Sequence, residues 1–331
     1  MKTKINTMLA CLLVSVAISR AVEVGEVQIT FKVVDDSGKP VPGATVGMSL
    51  IQLKNPLGQR VLENATKTQL NSITDKEGGA VIKNSSISPE VYYGVPPMPG
   101  YYYTRASEFK FRRVENNQWQ PWNPTVTIVL KPIINPIPMY AKETLNLTIP
   151  ENVKPVGYDL QMGDWVTPYG KGLTSDFNFN LERQFTSVTQ VFSATLTLTF
   201  SNDGDGIQTI PPEASTGSDL RSPRFAPENG YESKLVERTY RESERKPIVK
   251  EPKAGQKYFF RVRTKKDDQG KIVSALYGKI YGDINFDFFS PKTIVAFTYY
   301  LNPELNSRNM EFDPKQNLFK NLPSLEQVSA P

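Results

Sequence analysis

Alternation of apolar and polar side chains restricts this chain more than any other feature. In Ala194-Thr195-Leu196-Thr197-Leu198-Thr199-Phe200 every second residue is apolar. A β-strand puts such residues on one face, whereas a helix scatters them around its axis. Val27-Gln28-Ile29-Thr30-Phe31-Lys32-Val33, Leu145-Asn146-Leu147-Thr148-Ile149 and Phe177-Asn178-Phe179-Asn180-Leu181 repeat the pattern. Across residues 27–131 no stretch sustains a 3.6-residue period. The expectation is an all-β protein of two β-sandwich domains.

The first domain is placed at residues 22–134. After its opening strand, Asp35-Asp36-Ser37-Gly38-Lys39-Pro40 reads as a turn, and Pro42-Gly43-Ala44-Thr45-Val46 opens a second strand. Thr74-Asp75-Lys76-Glu77-Gly78-Gly79 is another turn, and Thr125-Val126-Thr127-Ile128-Val129-Leu130 is the closing strand. Asp35, Gly38, Pro40, Pro42, Gly43, Ala44 and Val46, followed by Thr74, Asp75 and Gly78, resemble the motif of the carboxypeptidase regulatory-like domain. That resemblance covers about a third of the chain and implies a transthyretin-like sandwich that is generally non-catalytic. A long insert between Leu50 and Ser72 and an aromatic-rich stretch at residues 92–103 depart from it.

Three prolines in Pro132-Ile133-Ile134-Asn135-Pro136-Ile137-Pro138 predict a stiff connector, with the domain break near Asn135. The second domain, residues 135–320, is read as a jelly-roll-like sandwich. Asp267-Asp268-Gln269-Gly270 between two strand-like runs is a hairpin signal. Residues 211–257 are dense in charge and read as a long solvated excursion, with residues 237–246 open to a charged helix and residues 231–240 equally open to an exposed strand pair. Residues 321–331 read as a flexible tail. The second domain also resembles secreted bacterial β proteins that carry no assigned activity.

The N-terminus has the form of an export signal. Lys2 and Lys4 precede an apolar run at residues 8–18, and Ser19-Arg20-Ala21 offers cuts after Ser19 or Ala21. The run is shorter than the roughly 20 residues that span a bilayer, and no later segment is apolar enough to cross one. The only cysteine, Cys11, lies inside the run, where most of the apolar stretch follows it and so argues against lipidation. Without that segment the chain has neither Cys nor His, so its stability comes from packed cores rather than disulfides. A secreted or periplasmic destination follows.

Composition excludes whole classes of chemistry. The absence of His removes Ser–His and Cys–His nucleophiles and His-ligated metals. The net charge is +5, but Lys2, Lys4 and Arg20 supply three of those charges within the signal segment. The remainder is too nearly neutral for a nucleic-acid partner, and no Gly-rich phosphate loop is present.

Carboxylate chemistry remains open, because a glycosidase needs two acids and no His. The candidates are Asp159 and Asp164, set beside Trp165 and Tyr169, whose rings can stack on sugars. Asn202-Asp203-Gly204-Asp205-Gly206 offers Asp203 and Asp205 to calcium, although it lacks the EF-hand ligand series. No other cofactor is expected. Trp119 and Trp122, with Tyr92-Tyr93 and Tyr101-Tyr102-Tyr103, make the first domain unusually aromatic. Consecutive tyrosines in a strand point to opposite faces, so only alternate rings share a surface. The leading expectation is an exported, non-catalytic binding or adhesion protein with carbohydrate as its ligand class. The alternatives are a carboxylate-based carbohydrate-active enzyme and a structural envelope component that contacts another envelope protein.

Overall fold

The structure is a computed structural model describing residues 23–53, 65–151, 154–211, 217–289 and 293–331. The export-signal pattern, with Cys11, lies outside the described residues. Within them the chain is all-β, with one short 3₁₀ turn at Ser324–Glu326 and no α-helix. No helix among them is long and apolar enough to cross a membrane. The chain divides into two compact units, one holding residues up to 34, 39–96 and 106–128, the other residues 35–38, 97–105 and 129–331.

The first unit contains β1 (Gly25–Asp35), β2 (Thr45–Leu53), β3 (Ala65–Ile73), β4 (Gly79–Ser86), β5 (Glu90–Gly94), β6 (Ser107–Lys110), β7 (Arg113–Glu115), β8 (Gln118–Gln120) and β9 (Thr125–Leu130). One sheet is ordered β4-β1-β8-β7 with β9 also on β1, and the other is ordered β3-β2-β5-β6. The alternation in β1 does what its period demands. Val27, Ile29, Phe31 and Val33 are fully buried, as are Val46 and Met48 of β2 in the other sheet. Each such side chain contributes about 1.5–3 kcal/mol relative to exposure.

The turn before β4 is fixed by chemistry legible in the sequence. Asp75 accepts from the backbone N–H groups of Glu77 and Gly79, and the Thr74 hydroxyl accepts from Ala44 N–H while donating to Val41 O. Gly78 adopts φ +74°, and a Cβ there would lie 2.3 Å from Val33 O, so only glycine fits.

The second unit contains β10 (Ile137–Thr148), β11 (Val156–Asp159), β12 (Asp164–Trp165), β13 (Phe177–Gln184), β14 (Phe192–Thr199), β15 (Gly206–Thr209), β16 (Lys234–Arg241), β17 (Val249–Glu251), β18 (Tyr258–Lys266), β19 (Ile272–Ile280), β20 (Asn285–Asp287), β21 (Ile294–Leu301) and β22 (Phe312–Asn317). A six-stranded sheet runs β12-β11-β13-β14-β16-β17, and a seven-stranded sheet runs β15-β18-β19-β21-β10-β22 with β20 also on β21. Aromatic rings fill the space between them, with Phe177 meeting Phe260 edge-on at 5.0 Å.

Three expectations need correction here. The charged stretch at 211–257 is not simply a solvated excursion. Its β16 pairs with β14 from Phe192↔Arg241 to Thr199↔Lys234, and β17 continues the sheet. The break near Asn135 shifts to between Ile128 and Val129. Within the second unit buried Glu311 accepts from the N–H groups of Ile134 and Asn135 and from the Tyr102 hydroxyl. Its Oε1 also lies 2.9 Å from Arg224. Burial pushes the Glu311 carboxyl up, but those donors and the guanidinium outweigh it and hold the group below the ordinary range. Residues 321–331, expected as a flexible tail, are fastened: Glu326 pairs with Lys142 at 3.2 Å, Val328 packs near Tyr300 and Phe312, and Tyr300 OH donates to Ala330 O.

Candidate functional site

The tryptophans predicted as ligand contacts separate into core and surface. Trp119 is buried on β8 and its Nε1 donates to Ser86 O at 3.0 Å. Trp165 is buried on β12, edge-on to Tyr158 at 5.4 Å and to Phe179 at 5.9 Å. Both expectations of a binding role are corrected, because each ring is occupied by core packing. Trp122 is half-buried, with Lys83 Nζ 5.7 Å from its ring. Tyr169 is exposed and its phenol donates to Glu151.

The predicted acids both accept hydrogen bonds from the chain around them. Asp159 Oδ1 accepts from Gln161 N–H, Met162 N–H and Arg263 Nη2, and its Oδ2 accepts from Leu173 and Thr174 N–H. Burial pushes the Asp159 carboxyl up, but the backbone donors and Arg263 overcome this and hold it below the usual range. Asp164 accepts from Trp165 and Lys171 N–H, tying the two sides of its turn together. Asp159 is thus committed to its turn and to Arg263, and Asp164 to the backbone of its own turn.

Arg263 is drawn into this network by a β-bulge. It sits at φ +56°, where the β18–β19 register shifts, a conformation that costs a non-glycine residue about 1–3 kcal/mol. Asp205 stabilises the bulge by accepting from Arg263 and Thr264 N–H. The guanidinium then grips Asp176 through two 2.8 Å bonds and also donates to Gln161. Asp203, the other calcium candidate, pairs with Lys266 at 2.6 Å. Both acids of that loop are thus engaged with donors, and no metal-binding group of three or more acids gathers among the described residues.

The surface best suited to a ligand lies elsewhere, on the outer face of the four-stranded sheet of the first unit. Tyr93 points inward against Phe31, with ring centroids 5.4 Å apart, while Tyr92 points out and is 47% exposed. Cross-strand register places Ser49 opposite both Tyr92 and Gln69, and Ile51 opposite Lys67. Ser49, Ile51, Lys67 and Tyr92, with Thr66 and Glu90, line a groove of about 370 Å³. Lys67 Nζ lies 6.0 Å from the Tyr92 ring centroid. Lys110 neutralises Glu90 at 2.6 Å. Its lining brings together an aromatic ring, an ammonium, a carboxylate and hydroxyl-bearing residues. Strand parity contains this signal: Val91, Tyr93 and Val95 form the apolar side, which leaves Tyr92 facing solvent.

A second recess in the other unit was not foreseen, because its residues fall in the charged stretch. Glu237 of β16 accepts from Tyr258 OH at 2.8 Å. Burial, and to a lesser degree the Asp283 charge, push its carboxyl up to about 7, although the Tyr258 bond opposes them. Asp283 itself accepts from Gly255 and Gln256 N–H. The recess they share with Lys250 holds about 30 Å³, room for one water and too little for a sugar ring.

No family model and no curated protein matches this chain. Among solved structures it is similar to a streptococcal ancillary pilin at 12% identity and TM-score 0.22, covering 82% of this chain and 58% of that one. It is also similar to the full-length major pilin SpaD from Corynebacterium diphtheriae at 11% identity and TM-score 0.23, covering 88% and 84% of the two chains. A DUF3823 family protein from Parabacteroides merdae matches at 7% identity and TM-score 0.20, covering 87% and 99%. Scores of this size do not establish a shared topology.

Proposed function

We propose that this chain is an exported, non-catalytic binding protein of the adhesion type that engages carbohydrate through the groove at Tyr92. The observation that carries this reading is an exposed tyrosine ring set beside Ser49, Thr66, Lys67 and Glu90 on the outer face of a sheet. A sugar presents an apolar ring face and a rim of hydroxyls, and a tyrosine flanked by hydrogen-bonding side chains complements both. The regulatory-like motif in this unit and the export signal support a non-catalytic, extracytoplasmic role.

A glycan-array screen of the full chain, with and without calcium, tests the reading. Specific binding lost in Tyr92→Ala and retained in Trp165→Phe is the expected result. Binding is expected to survive chelation, because Asp203 and Asp205 already have partners. A silent array overturns the carbohydrate assignment and leaves a structural envelope role with protein contacts.

A further inference from the structure

Lys279 is the most unusual charge in the molecule. It lies on β19 on the face pointing away from the six-stranded sheet, is 0% exposed, and its Nζ has no hydrogen-bond partner. Its cross-strand neighbours are Phe259 on β18 and Tyr300 on β21. Tyr277 lies two residues before it on the same strand, and Tyr281 two residues after it, just beyond the strand's end. The amine sits 4.5 Å from the Tyr300 ring centroid. Four aromatic residues therefore surround a side chain that is ordinarily solvated.

A second layer of chain makes this burial complete. Arg221 stacks over Tyr281 at 5.0 Å, and Lys257 Nζ donates to Arg221 O. Val328 packs into the cluster containing Tyr300 and Tyr281, and Tyr300 OH holds Ala330 O. The charged groups acting on Lys279 are Glu311, which favours its ammonium form, and Lys131 and Lys257, which oppose it. Burial dominates all three and pushes the amine down to about 7.

We propose that the segments covering this face, residues 217–226 and 323–331, open with uptake of one proton by Lys279. In the closed layer the amine has no hydrogen-bond acceptor, and the attraction of Glu311 is opposed by Lys131 and Lys257. In the opened layer it is hydrated and regains ordinary lysine basicity. Opening is therefore favoured as pH falls from about 10 towards 7, by up to tenfold per pH unit, and levels off below 7 once the closed state is protonated as well. Tyr281 and Tyr300 are both raised by burial. Their titration promotes opening only above pH 10, in the opposite direction.

Hydrogen exchange of the full chain between pH 7 and 9.5, corrected for intrinsic rates, reads this directly. Protection of residues 217–226 and 323–331 is expected to rise by roughly tenfold per pH unit. Core strands β13 and β14 serve as the internal reference. In Lys279→Met the same segments are expected to lose that dependence. Protection independent of pH, or a slope that persists in Lys279→Met, overturns the proposal. Should the variant fail to fold, a ¹³Cε titration of Lys279 in the unaltered chain decides: a midpoint at ordinary lysine values overturns it, and one near 7 supports it.

Discussion

Arg263 and Lys279 are both cations of the seven-stranded sheet, and the protein buries them in opposite ways. Arg263 reaches Asp176 and Asp159 and has a carboxylate for each edge of its guanidinium. Lys279 lies over the Tyr300 ring and has no hydrogen-bond acceptor. A guanidinium cannot shed its proton, so it must be paired, whereas an amine can lose its proton and remain as a polar aliphatic chain. Consistent with this, Arg263 is held above its ordinary value, as Asp176 and Asp159 outweigh the effect of burial, while burial drives Lys279 down. The pairing carries a conformational requirement: Arg263 reaches its acids only from the left-handed bulge that Asp205 holds.

Removing each cation should therefore have effects of opposite sign. Arg263→Ala strands Asp176 and Asp159 without their counter-charge and is expected to cost about 3–5 kcal/mol. Chemical denaturation followed by the fluorescence of buried Trp165 measures it, and a loss below 1 kcal/mol would break the contrast. Lys279→Met replaces an unpaired buried amine with an apolar chain of similar volume and is expected to stabilise by about 1–4 kcal/mol at pH 7. The folded-state value of Lys279 lies below its unfolded value, so the native chain binds fewer protons between about pH 7 and 10. Stability of the unaltered chain rises with pH over that window, and the advantage of Met shrinks by about 1.4 kcal/mol per unit. Destabilisation at pH 7 would show that the amine contributes through contacts rather than costing through burial.

How much of this is legible in the sequence depends on how many layers lie over a residue. Strands β1, β13 and β14 are plain because one face is apolar and the other polar. The inward positions of β16 are Leu235, Glu237, Thr239 and Arg241, so its alternation carries no hydrophobic signal and reads as a charged excursion. Trp119 and Trp165 are recognisable as aromatic, but the side of the strand each occupies depends on partners such as Tyr158 and Ser86. Asp159 and Asp164 look catalytic by type. Only the fold shows that backbone N–H groups already occupy their oxygens. Lys279 is hidden for another reason: alternation within β19 gives it an outer face, and chain from residues 217–226 and 323–331 covers that face from far away in sequence.

Glu237 tests the comparison with the charge reversed. Its carboxyl is raised to about 7 chiefly by burial, so the native chain binds more protons than the unfolded one between about pH 4.5 and 7. Stability contributed at this position is thus highest at acid pH, declines as pH rises through that window, and stays low above it. Allowing for its partial exposure, the decline is about 1–2 kcal/mol. Glu237→Gln keeps an acceptor for Tyr258 OH and is expected to flatten that part of the stability profile, measured by denaturation at pH 4.5, 6 and 7.5. An unchanged slope would assign the pH response to other acids.

Asp203 and Lys266 supply the limit of exposed charge. Their 2.6 Å ion pair is as short as any in the second unit, yet the Asp203 side chain is 91% exposed. Water solvates that carboxylate equally well in the folded and unfolded chain, and salt screens what attraction remains. Asp203→Asn is therefore expected to leave the denaturation midpoint unchanged at moderate ionic strength, in contrast to Arg263→Ala a few residues away along β18. Short distance is common to both pairs, and only removal from water distinguishes them. A clear loss of stability in Asp203→Asn that persists in high salt would mean that the loop, rather than solvent access, sets the strength of charge pairs at this edge of the sheet.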